Sequence, residues 1–189
     1  MKQGFVKVAS ATPGIRVADP VYNARAICTQ AKEAAEHGAK IIVFPELCIT
    51  GYTCNDLFLQ NLLLKKAKEA LLTIAEETSR LGALLFVGLP VEKDGRLYNV
   101  AAAVYRGSIL GMIPKKHIPT YAEFYEGRYF TSGEERITNF RLGEYEVPFG
   151  TNLLFCCEEL PELVLGCEIC EDLWVADPPS TSHALAGAT

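Results

Sequence analysis

Long apolar runs are missing from this 189-residue chain. No stretch approaches the ~20 apolar residues that a membrane-spanning helix needs. The opening segment MKQGFVKVAS lacks the apolar centre of a signal peptide. An excess of basic charge is missing too: 18 Lys and Arg face 23 Asp and Glu, for a net charge of −5, which argues against a nucleic-acid surface. Only three histidines occur, and His37, His117 and His183 are scattered without metal-ligand spacing. Repeats, linkers, low-complexity tracts and phosphate-binding loops are also lacking. These absences predict a cytoplasmic globular protein that uses neither a membrane nor nucleic acid as partner. At this length one domain with a proper core is expected.

Cysteine, by contrast, is plentiful. The seven are Cys28, Cys48, Cys54, Cys156, Cys157, Cys167 and Cys170. An odd number without an export signal speaks against a disulfide framework. Cys167-x-x-Cys170 has the spacing of half a zinc site or of a redox pair, but no second such pair exists. Most of these thiols should be reduced, and several buried as small apolar side chains.

The chain alternates strand and helix signals. Residues 5–9 predict a first strand. Asp19-Pro20 offers an N-cap followed by proline at the first helical position, and Ala24, Ile27, Cys28, Ala31, Ala34 and Ala35 form a stripe at helical spacing. Gly38 is a stop signal. Residues 41–44 predict a buried strand ended by Pro45. Glu46 thereby falls at a strand's carboxyl end, where open α/β sheets place their ligands. A second helix is expected over 59–81 and strands over 84–87, 98–105, 109–113, 153–157 and 163–167. Lys93-Asp94-Gly95-Arg96 reads as a hairpin turn. Residues 114–150 read as one long irregular, aromatic-rich loop of the sort that often carries function, and a third helix starts near Pro178. The order βαβαβ followed by successive strands predicts an α/β (α+β) fold, a mixed sheet with helices packed on it.

Three residues occupy unusual settings. Cys170 closes a short apolar run in GCEICEDLW and is followed by acids and a Pro178-Pro179-Ser180 turn. A thiolate is a strong nucleophile but needs a base, a cation or a helix terminus to form. The flanking acids should raise the thiol pKa, so a nearby cation is required. A buried structural cysteine is the alternative. Glu46, in VFPELCITGY, is an acid among apolar residues, suited to general-base work. Its alternative role is a carboxylate satisfied by backbone N–H groups. Lys115, in GMIPKKHIPTY, follows an apolar strand and offers an ammonium to a tetrahedral oxyanion; a solvated loop lysine like Lys116 is the other reading. Tyr121 and Glu126, in PTYAEFYEGRYF, complete the group, with simple amphipathic packing as their alternative. Spacing alone does not bring these groups together in space.

Taken as three blocks, VFPELCITGY, IPKKHIPTYAEFYEGRYF and GCEICEDLW resemble the signatures of the nitrilase (carbon–nitrogen hydrolase) superfamily, in the same order and over nearly the whole chain. The resemblance implies a four-layer αββα sandwich and a catalytic triad of Glu46, Lys115 and Cys170, with Glu126 bracing the lysine. It implies that Glu46 takes and returns protons, that Lys115 and the Glu171 backbone N–H hold the oxyanion, and that Cys170 forms a thioester.

Gly51-Tyr52 with Asp56-Leu57, Pro119-Thr120-Tyr121, the run ending at Phe130, and Asp172-Leu173-Trp174 with Pro178-Pro179-Ser180 further resemble the glutaminase domains of glutamine-dependent NAD synthetases. That likeness implies glutamine as substrate, with Tyr121, Glu171 and Trp174 lining its pocket. It also implies a synthetase domain in the full-length protein as partner and assembly into homo-oligomers. Residues 1–189 are then one hydrolase domain, cut short at its C-terminus, without cofactor or metal of its own. ATP and magnesium belong to a synthetase domain that these residues do not include. A stand-alone amidase of the same superfamily and a non-catalytic scaffold module are the competing expectations.

Overall fold

A computed structural model describes residues 4–189. Its centre is a seven-stranded sheet in the order β1-β2-β3-β4-β5-β7-β6. The strands are β1 Val8–Ser10, β2 Ile41–Val43, β3 Leu84–Lys93, β4 Arg96–Tyr105, β5 Ser108–Pro114, β6 Thr138–Leu142 and β7 Tyr145–Phe149. β1, β2 and β3 run parallel, and β3–β4–β5 form an antiparallel meander. β7 then pairs parallel to β5 and antiparallel to β6.

Two helices cover one face. α1 (Pro20–Glu36) starts as the sequence predicts: the Asp19 side chain accepts the Tyr22 backbone N–H at 3.1 Å, and Pro20 occupies the first turn. Its stripe of Ala24, Ile27, Cys28 and Ala31 is buried. α2 (Asn61–Glu77) buries Leu63, Leu64, Ala67, Ala70, Leu71, Ile74 and Ala75. Against them the strands turn Leu85, Val87, Leu89 and Val91 of β3 and Tyr98, Val100, Ala102 and Val104 of β4. The period of two on the strands meets the period of 3.6 on the helices, which makes one continuous core. No helix of the described residues is long and apolar enough to cross a membrane.

The opposite face is more thinly covered. There β8 (Phe155–Cys156) and β9 (Val164–Leu165) form a two-stranded antiparallel ladder, packed with Leu153 against Ile41, Phe86, Ala103 and Ile113. α3 (Pro179–Leu185) follows the site-bearing turn. A helix pair and one large sheet are thus two of the layers expected of an αββα sandwich.

Several boundaries differ from the sequence reading. The first strand is set by its register with β2, Val8 opposite Ile41, so it begins later than residue 5, and Phe5 is exposed. α2 starts at Asn61 because residues Tyr52–Leu59 wind into 3₁₀ turns, broken at Asn55. It stops at Glu77, where the Thr78 hydroxyl bonds back to the Ile74 carbonyl at 2.7 Å. β3 runs through Pro90 to Lys93, well past the expected end at 87. β2 reaches only as far as Phe86, so no ladder partner on that side needs the N–H that Pro90 lacks. Part of the presumed loop 114–150 is the β6–β7 hairpin, whose Phe140, Leu142, Val147 and Phe149 alternate inward.

Candidate active site

Glu46 sits just past β2, on a turn that lies across β3. The Phe44 N–H bonds to the Phe86 carbonyl at 3.0 Å and the Ile49 N–H to the Gly88 carbonyl at 3.1 Å. Between them Leu47 adopts a left-handed φ of 52°. The close approach explains Gly88: any side chain there would collide with the Leu47 nitrogen and the Pro45 carbonyl. Leu47, Cys48 and Ile49 are buried, so the loop is anchored by apolar packing on both sides of the carboxylate. Burial pushes the Cys48 thiol up to about 12, which leaves it inert at neutral pH.

Lys115 follows β5 directly. Its backbone N–H donates to the Asn99 carbonyl on β4 at 2.8 Å, and its side chain is fully buried. The ammonium donates to Glu46 Oε1 at 2.7 Å and to Glu126 Oε1 at 2.7 Å. The neighbouring Lys116 instead reaches out to Glu135. Burial works to lower the Lys115 pKa, but the two carboxylates outweigh it and hold it above the ordinary lysine value. A desolvated ammonium between two acids stays charged.

Cys170 lies beside this lysine–carboxylate cluster. Ile169 is extended, and Cys170 then takes a left-handed φ of 48° at the start of a 3₁₀ turn, Cys170–Leu173. A non-glycine residue there is uncommon and marks a forced change of direction. The buried Asp172 carboxylate fixes the turn. It accepts the Ile169 N–H at 3.1 Å and, from the lysine segment, the N–H groups of Lys116 and His117, the latter at 2.7 Å. One side chain thereby bolts the cysteine turn to the end of β5. Burial raises the Cys170 thiol pKa, Glu46 and Glu126 raise it further, and Lys115 opposes them. The sequence reading assigned that rise to the flanking acids. After burial, the leading charge contributions come from the distant acids Glu46 and Glu126, while Asp172 is committed to backbone N–H groups. All seven cysteines are free; Cys170 is exposed, whereas burial pushes Cys167 up to about 12.

The remaining candidates surround the thiol unequally. The Tyr121 hydroxyl donates to Glu171 Oε2 at 2.8 Å, and this bond raises the tyrosine's pKa, with a smaller contribution from Cys170. Trp174 stands largely exposed at the rim.

Sequence reasoning missed two residues of the cluster. Asn99, buried in β4, donates through Nδ2 to Glu46 Oε1 and, at 3.5 Å, to Glu126 Oε2. The Tyr52 hydroxyl donates to Glu126 Oε1 at 2.9 Å. An asparagine inside the apolar run Tyr98-Asn99-Val100-Ala101 was the available signal for the first. Tyr52 entered only as part of the Gly51-Tyr52 block, with no role attached to its hydroxyl.

Comparison with known proteins bears on the family and the fold. Residues 7–189 match the family model described as carbon-nitrogen hydrolase. A glutamine-dependent NAD(+) synthetase of Mycobacterium bovis is 43% identical over 188 residues, which is 100% of this chain and 28% of that protein. The chain thus spans under a third of the length of such curated relatives. The crystal structure of a glutamine-dependent NAD(+) synthetase from Cytophaga hutchinsonii superposes with a TM-score of 0.84 at 30% identity, over 97% of this chain and 29% of that one. An amidase from Nesterenkonia sp. shares the fold, with a TM-score of 0.60 at 24% identity over 78% of this chain and 56% of that one. The mixed sheet flanked by helices is therefore the nitrilase-type fold, and the chain belongs to the carbon-nitrogen hydrolase family.

Proposed function

We propose that this chain is the glutaminase part of a glutamine-dependent NAD synthetase. The observation that carries the reading is the buried Lys115 ammonium, held at 2.7 Å by both Glu46 and Glu126 and facing a cysteine on a left-handed turn. In this reading Glu46 removes the Cys170 proton as the sulfur attacks the side-chain amide carbon of glutamine. The raised thiol pKa suits that order, because the nucleophile waits as a thiol and is deprotonated only on attack. Lys115 and the Glu171 backbone N–H stabilise the tetrahedral oxyanion. Glu46 returns its proton to the leaving nitrogen, ammonia departs and a thioester remains. Glu46 then activates water, and glutamate is released with Cys170 restored.

The Glu171 carboxylate offers a partner for the substrate's ammonium, with Tyr121 and Trp174 at the mouth. In the full-length cytoplasmic protein the ammonia passes to a synthetase domain. That domain, with ATP and magnesium, amidates nicotinic acid adenine dinucleotide, in an oligomeric assembly. The 43% identity to synthetases so named over the full chain supports this choice over a stand-alone amidase.

A test treats the full-length protein with a diazoketone analogue of glutamine and maps the adduct by mass spectrometry. Labelling of Cys170 alone is expected. In Cys170→Ala, glutamine-driven synthesis should vanish while synthesis from added ammonia survives. Labelling by simple amide electrophiles but not by the glutamine analogue would favour the amidase, and a folded protein that resists both would leave a scaffold.

A further inference from the structure

We infer that Asn99 is a positioning residue, whose amide sets which oxygen of Glu46 is free to take the cysteine proton. The inference rests on the proposed general-base role of Glu46. Lys115 and Asn99 both donate to Glu46 Oε1, and the Cys170 thiol is a further side-chain hydrogen-bond partner of the same carboxylate. With Oε1 engaged twice, Oε2 is the oxygen left to take the proton of that thiol. The same Nδ2 also reaches Glu126 Oε2, so one neutral amide spans both acids and keeps their charges apart.

The orientation of the amide follows from its surroundings. Turned over, its oxygen would face two carboxylates, so Nδ2 must point to them. The consequence is a buried Oδ1 with no hydrogen-bond partner. An unpartnered acceptor in the core opposes folding. Asparagine at this position thus opposes stability through one atom while it serves the site through another. A leucine, with the same branching and number of heavy atoms though bulkier, would remove the orphan acceptor and the donor together. The charged and titratable groups that face Glu46 are Lys115, Glu126, Cys170 and Tyr52.

Losing a donor to the charged form of a carboxylate favours its protonated form. The test is the pH dependence of glutamine hydrolysis by the full-length protein carrying Asn99→Leu. kcat should fall by about tenfold or more, with KM within about twofold because Asn99 does not reach the substrate. The acidic limb should move to higher pH. Thermal stability should stay near that of the parent. A purely structural role would lower stability and activity and leave the limb in place, and that result overturns the inference. Should Asn99→Leu fail to fold, Asn99→Ser, too short to span both acids, must show the same displaced limb. If the parent protein does not hydrolyse glutamine, the proposed function fails separately. The limb is then read in the pH dependence of hydrolysis of a simple aliphatic amide, where an unchanged limb, or no turnover at all, sinks the Asn99 inference.

Discussion

The two faces of the central sheet come from the same strands and follow opposite rules. On the helix side, β3 and β4 present Leu85, Val87, Leu89, Val91, Tyr98, Val100, Ala102 and Val104, with no ionised group among them. On the other side the same two strands supply Gly88, which lets the Glu46 turn approach, and Asn99, which holds its carboxylate. The first face stabilises the molecule by removing apolar area from water. The second holds an ammonium and two acids in its interior, an arrangement that costs desolvation and offers little net stability in return. The larger part of the core lies on the helix side, and the thinner apolar cover on the other side leaves room for chemistry beside it.

Changing the acid on the polar face should separate the two properties most widely. Glu46→Gln keeps the shape and the acceptor for Lys115 but removes the base. Amide turnover should fall by about 10²–10⁴-fold. Simple alkylation of Cys170 by iodoacetamide near neutral pH should become faster. Glu46 is one of the groups that raise the thiol pKa, so its loss leaves Lys115 less opposed and favours the thiolate. Turnover and alkylation thus move in opposite directions, and a parallel loss of both would remove Glu46 from the proton-transfer role.

The next comparison sets one lysine against its neighbour. Lys115→Met leaves the Glu46 and Glu126 carboxylates unpaired in a site where their side chains are 17% and 4% exposed. A loss of about 3–5 kcal/mol of stability is expected. Lys116→Met breaks only an ion pair with Glu135, whose side chain is 59% exposed, and should change stability by less than about 1 kcal/mol. On the helix face, Leu89→Ala should cost about 2–5 kcal/mol through the cavity it opens. Yet the rate per folded molecule should stay near normal, since Leu89 belongs to the helix-side core. Chemical denaturation with activity measured on the folded fraction distinguishes the three. Equal losses at Lys115 and Lys116 would erase the contrast between site and surface.

How far the sequence alone reaches follows the same division. The helix-side core was legible, because the stripe in α1, the start at Asp19-Pro20 and the turn at Asp94-Gly95 are local signals. Glu46, Lys115 and Cys170 were legible as individuals, each being a reactive type at a strand end. Their meeting was not, since it depends on long-range pairing: the Asn99 carbonyl with the Lys115 N–H, and Asp172 with the N–H groups of Lys116 and His117. The β6–β7 hairpin was passed over because charged residues and Pro148 interleave with its inward Phe140, Leu142, Val147 and Phe149. β3 was cut short because proline normally ends a strand, and only the shortness of β2 shows why Pro90 is tolerated.

The smallest expected effect lies at the rim of the polar face. Asp56 accepts Arg128 Nε at 2.9 Å, Arg128 Nη2 at 3.1 Å and the Tyr129 hydroxyl at 3.1 Å. Together with Tyr52 and the packing of Phe58 on Phe130, this ties the 3₁₀ segment Tyr52–Leu59 to the segment that carries Glu126. The Arg128 guanidinium holds the Asp56 carboxyl below its usual range. A depressed carboxylate pKa means that the clamp contributes fully above the unfolded-state value and is lost as pH falls through the lower folded one. Both side chains are more than half exposed, so water and salt screen most of the attraction. Asp56→Asn should therefore lower glutamine turnover by less than about threefold, and the difference should shrink in high salt. Glu126 keeps Lys115, Tyr52 and Asn99 as partners, which is why so small a loss is expected. A loss above tenfold that persists in high salt would mean that the rim clamp, and not the buried donors, places Glu126 against the lysine.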